Sequence, residues 1–134
     1  MLDLLKSELE INSEILNKGM LAIENNNSDA SLLSDIIRGA HSIKGAAKIL
    51  GFDSLAGLAG ACEDRLNDVK DGNLKIEQPL VELIINAVEI FNKIAIVKAD
   101  EIPTSIEKNN DDIILFTNNL KNFDKKSETH ESIV

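Results

Sequence analysis

Apolar side chains recur every three or four positions along nearly the whole chain. That spacing lines them up on one face of an α-helix, whereas a strand would need alternation. A first helix is predicted from about Leu2 to Glu24, with Leu2, Leu5, Leu9, Leu16, Met20 and Ile23 as its inner stripe. The run Asn25-Asn26-Asn27-Ser28 breaks it. A second helix starts at a Ser28 or Asp29 cap and turns Leu33, Ile36, Ala40, Ile43, Ala47 and Leu50 inward, and Gly51 stands where a left-handed cap would end it. Asp53 or Ser54 is expected to cap a third helix with Leu55, Ala59, Cys62, Leu66 and Val69 inside, closed by Gly72-Asn73. A fourth, from about Ile76 to Val97, is apolar over much of its circumference and is expected to be the most buried. A fifth segment opens near Pro103, a residue suited to a first helical turn, and reaches Phe123. Asn109-Asn110-Asp111-Asp112 is a poor helix interior and leaves open whether that segment is one helix or two.

The fold class this implies is all-α, an antiparallel up-down bundle with a four-helix core and a fifth C-terminal helix over residues 1–123. Residues 124–134 carry no apolar period and are expected to form a flexible polar tail or linker. A length of 134 residues suits one domain with a single core.

Composition narrows the function. With 43% hydrophobic and 28% charged residues, the chain has enough apolar surface to fold. A net charge of −9, no Trp, no Tyr and only four Phe leave few features that would hold nucleic acid. The single cysteine, Cys62, excludes an internal disulfide. The apolar runs fall far short of the roughly 18 residues of a membrane span, and no signal-peptide pattern opens the chain. The expectation is a cytoplasmic protein bound to neither membrane nor nucleic acid.

Of the two histidines, His130 falls in the polar tail, where it is expected to be solvated. His41 falls in the second predicted helix. At about 100° per residue it lies about 130° from the centre of the core stripe, so it faces outward. Arg38, Lys44 and Lys48 stand at −3, +3 and +7 from it, a basic stripe on an acidic protein that suits an anion. Gly45, at +4, leaves space one turn away, although glycine inside a helix costs about 1 kcal/mol relative to alanine. If the second and third helices pair antiparallel about residue 52, position 41 meets Glu63. A carboxylate there can take the Nδ1 proton of the imidazole and leave Nε2 as a nucleophile. The plainer readings are a solvated basic face and an acidic pair, Glu63-Asp64, on a wet surface. A metal site built on His41 and Glu63 is disfavoured, because the neighbouring cations repel a metal ion.

The run Arg38-Gly39-Ala40-His41-Ser42-Ile43-Lys44-Gly45-Ala46-Ala47-Lys48-Ile49-Leu50-Gly51 resembles the H-x-x-K-G-x5-G signature of histidine phosphotransfer (HPt) domains, in particular those at the N-terminus of chemotaxis-type histidine kinases. More loosely, the resemblance extends over residues 1–122. It implies a phosphocarrier in which His41 accepts and donates a phosphoryl group. It further implies that Glu63 orients the imidazole, Lys44 balances phosphate charge and Gly45 gives a partner access, with Arg38 and Lys48 on the same face. Many chemotaxis-type members carry a histidine or polar residue three positions before the glutamate, whereas this chain has Gly60 there. The partners implied are a histidine kinase catalytic domain and a response-regulator receiver domain. No cofactor is expected in this domain: ATP and Mg²⁺ would be used by the partner, since the chain has no G-x-x-x-x-G-K-[ST] loop. A helical interaction module without covalent chemistry is the alternative, and a free-standing shuttle and a kinase N-terminal domain both remain open.

Overall fold

The structure is a computed structural model that describes residues 1–25 and 29–123. Six α-helices follow in order: α1 (Leu2–Glu24), α2 (Ala30–Ile49), α3 (Asp53–Lys70), α4 (Gln78–Ala95), α5 (Ile102–Lys108) and α6 (Asn110–Lys121), with one 3-10 turn (Ala99–Glu101) before α5. The expected tail, residues 124–134 with His130, and the break at Asn26, Asn27 and Ser28 lie outside the described residues.

Asp29 caps α2, its carboxylate accepting from the Leu32 amide at 2.7 Å. Both Gly51 and Gly72 adopt positive φ, 81° and 82°. Around each, the helix closes in the same way. The Phe52 amide donates to the Ala47 carbonyl and the Gly51 amide to Lys48, while Asn73 donates to Asp68 and Gly72 to Val69. These paired bonds satisfy carbonyls that a helix end otherwise leaves open. The first of the two turns is so short that Phe52 itself becomes the N-cap of α3, and Asp53, expected to cap that helix, is its first residue instead. α4 is shorter than expected at both ends. Pro79 sits in its first turn, where its missing N–H costs nothing, and Lys6 of α1 closes the other end by donating to the carbonyls of Ala95 and Val97 at 2.6 and 2.7 Å.

The fifth segment is two helices. Asn109 ends α5 and precedes α6, and its side-chain amide turns back to the Ser105 carbonyl at 2.8 Å. α6 packs against both α3 and α4, which touch each other only sparsely. It therefore completes a ring of helices in the order α2, α1, α4, α6, α3. Arg65 of α3 secures α6 by donating to the carbonyls of Leu120 and Lys121 while paired with Asp68. The core inside the ring is aliphatic, with Phe91 and Leu5, Leu9, Leu16, Ile36, Ile43, Leu58 and Leu66 fully buried.

α1 and α2 approach closely at Gly19. A Cβ there would clash with Ile36 Cγ2. Overpacking a core typically costs about 1–3 kcal/mol, against about 1 kcal/mol gained in helix propensity. Gly19→Ala is therefore expected to lose up to about 2 kcal/mol in urea denaturation, and a variant more stable than wild type would show that the two helices part freely.

Candidate functional site

The short turn at Gly51 makes α2 and α3 an antiparallel hairpin in which residues equidistant from Phe52 face one another. His41 and Glu63 stand eleven residues to either side of it. The expected pairing is present, with His41 Nδ1 lying 2.8 Å from Glu63 Oε2. The imidazole is on the outer face, 63% exposed, while the Glu63 side chain is only 12% exposed. An ionised carboxylate can only accept, so Nδ1 carries the proton and donates it to Glu63. Nε2 is left with its lone pair, and no hydrogen-bond partner engages it among the described residues.

Lys44, one turn on from His41, sends its ammonium to the other carboxylate oxygen, 2.7 Å from Glu63 Oε1. That ammonium is the charged partner of the buried Oε1. Burial by itself would raise the carboxyl pKa, but Lys44 and His41 outweigh it and hold Glu63 below its ordinary value. The neighbouring Cys62 is fully buried, and burial pushes its thiol up to about 12, far from any nucleophilic range.

The basic stripe does not converge on His41 in the way that spacing alone suggests. Lys44 turns to Glu63, while Arg38, largely exposed, lies 3.6 Å from Asp35 on its own helix. Lys48 is exposed and makes no ion pair among the described residues. Gly45 does open space: a Cβ there would meet nothing within 4 Å. No packing among the described residues requires that glycine. Gly60 is a contributor that spacing did not single out as part of the site. It stands opposite Lys44, eight residues to the other side of Phe52, and a Cβ on it would come 3.2 Å from Lys44 Cδ. Pairing the two positions about the turn would have found it. Among the described residues, no group of three or more His, Cys, Asp or Glu side chains is placed to hold a metal ion.

Among the described residues, the all-helical bundle presents one outward imidazole, His41, backed by the buried carboxylate of Glu63. The family model for the Hpt domain matches residues 1–93, and the chain belongs to that family. Similar proteins include the chemotaxis protein CheA of Listeria monocytogenes, 34% identical over 84 residues, which are 63% of this chain and 14% of that protein. The sensor histidine kinase CheAY of Helicobacter pylori is 29% identical over 98 residues, 73% of this chain and 12% of its own length. The CheA of Bacillus subtilis is 26% identical over 88 residues, 66% and 13% respectively. The chain thus spans only a small fraction of the length of these relatives. The match ends before α5, so α5 and α6 lie beyond the part that defines the family. No helix of the described residues is long and apolar enough to cross a membrane.

Proposed function

We propose that this chain is a phosphocarrier of chemotaxis-type two-component signalling, in which His41 takes a phosphoryl group from a histidine kinase domain and yields it to a response-regulator receiver, in the cytoplasm. The observation that carries the reading is the 2.8 Å bond from His41 Nδ1 to a buried, ionised Glu63 on an otherwise exposed ring. The names of the similar proteins, chemotaxis proteins and a histidine kinase, support the signalling context.

The Nε2 lone pair attacks phosphorus, the N–P bond forms, and the P–O bond to the donor breaks, with its electron pair leaving on the donor oxygen. No proton has to leave Nε2, because none is there. The ring gains positive charge as its lone pair is shared, and Glu63, against Nδ1–H, stabilises that charge where it develops. In the return step a carboxylate oxygen of a receiver attacks phosphorus, the N–P bond breaks, and its electrons return to Nε2. ATP and Mg²⁺ supply positioning and charge neutralisation within the partner domains. Lys44 keeps Glu63 ionised and stands within a turn of the phosphoryl group, and the exposed Arg38 and Lys48 offer cationic contacts to an acidic partner.

Intact-protein mass after incubation with a histidine kinase and ATP tests the reading. The expected result is a gain of one phosphoryl group, stable to base and lost in acid. No gain with kinases or small phosphodonors would leave a helical interaction module. Gly45→Ala separates folding from docking. With open space around the new methyl, it is expected to stabilise α2 by about 0.5–1 kcal/mol while slowing phosphorylation by a kinase more than by a small phosphodonor.

A further inference from the structure

The antiparallel pairing places Lys44 directly opposite Gly60, while the carboxylate it reaches, Glu63, lies one turn further along α3. A lysine in that position has to lean across α3 to make the contact. Its aliphatic stem runs over the bare backbone at Gly60, where a Cβ would stand 3.2 Å from Cδ and 4.0 Å from Cγ, the first of these tighter than ordinary contact. The ammonium then arrives 2.7 Å from Glu63 Oε1, and His41 Nδ1 occupies Oε2. Each carboxylate oxygen thus has one partner from α2, and only one of the two, Lys44, depends on space left by α3.

We propose that Gly60 is a positioning residue for phosphotransfer: by leaving α3 without a side chain opposite Lys44, it provides the track along which the lysine reaches Glu63, and so fixes the carboxylate that orients His41. Its consequence for phosphotransfer rests on the function proposed above, although the geometry does not. A glycine within a helix carries a propensity cost, and here the empty space is filled by the stem of Lys44. The methylenes gain contact with α3, and the ammonium stays at the half-exposed rim.

Gly60→Ala and Gly60→Val in the 134-residue chain test it, each also in a Lys44→Met background. Alanine favours the helix more than glycine, so a merely structural role for Gly60 predicts a variant at least as stable and equally active. Carbon-detected NMR of the Glu63 carboxyl gives a readout that needs no partner. With the track filled, Glu63 is expected to titrate at higher pH than in wild type, more so for valine than for alanine, and His41 phosphorylation to slow about threefold to tenfold in the valine variant. In the Lys44→Met background neither substitution should move the titration further. An unchanged titration in both variants would overturn the proposal. So would a shift that persists without Lys44, since the added methyl groups would then be burying the carboxylate directly. If valine prevents folding, the alanine variant carries the same comparison. A wild-type chain that takes up no phosphoryl group would sink the functional reading, and the carboxyl titration would still decide the role of Gly60.

Discussion

His41→Gln is expected to accept no phosphoryl group from any donor while unfolding within about 0.5 kcal/mol of wild type. The two halves of that expectation have separate causes. Chemistry is lost because a glutamine amide has no lone pair of comparable nucleophilicity, and His41 is the only histidine among the described residues. Stability is kept because the imidazole is 63% exposed and takes no part in the core. The carboxylate it leaves behind still has Lys44 at 2.7 Å, and the new amide can donate to Oε2 in place of Nδ1–H. Acid-labile mass gain and a urea unfolding curve on the same preparation check both halves. Residual labelling would place the acceptor elsewhere in the chain. A large loss of stability would mean that the His41–Glu63 bond holds the hairpin together, contrary to its exposed position.

The hairpin was legible from the residues because two local signals agree. Gly51 marks the left-handed cap, and the apolar stripe of each helix fixes which face turns inward, so position 41 could be paired with 63 before any coordinates. The all-helical class followed from periodicity in the same way. What could not be read depends on contacts between segments far apart in the chain. Lys6 closes α4 across 89 residues and Arg65 closes α6 across 55, and nothing in the local pattern of either residue distinguishes it from a solvated cation. The place of α6 between α3 and α4 is likewise a tertiary fact. The polar run at Asn109–Asp112 did signal a break, and the structure ends α5 at Asn109, whose side chain bonds back to the Ser105 carbonyl, before α6 begins at Asn110. Lys44 shows the limit at the site itself. Helical spacing places it beside His41, but its stem lies against Gly60 on the other helix, a contact no local pattern announces. Spacing along α2 reads Lys44 as part of a basic stripe suited to an anion, whereas across the hairpin its ammonium meets Glu63.

Glu63→Gln isolates the charge at the site from its shape. The amide is close in size to the carboxylate and fits the same buried position, so loss of packing is minimal. It is neutral, however, and its NH2 end can donate to Nδ1. That would push the imidazole proton to Nε2 and tie up the lone pair that attacks phosphorus. Phosphorylation is expected to slow about tenfold to a hundredfold, with a small phosphodonor as well as with a kinase, because the defect lies in this chain and not in docking. The same substitution should change the response to acid. Glu63 is held below its ordinary value of 4.5 by Lys44 and His41 against the opposing effect of burial, so the folded state binds a proton at this carboxyl less readily than the unfolded state does. Its contribution to stability is therefore complete above the ordinary carboxyl range and is lost as the pH falls through the lower, folded-state value. Removing the charge removes that contribution. The difference in stability between wild type and Glu63→Gln should be largest at neutral pH and shrink as the pH drops below 4.5. Urea denaturation of both proteins across that range measures it, and a pH-independent difference would mean that Glu63 holds the hairpin by packing, with no contribution from its charge.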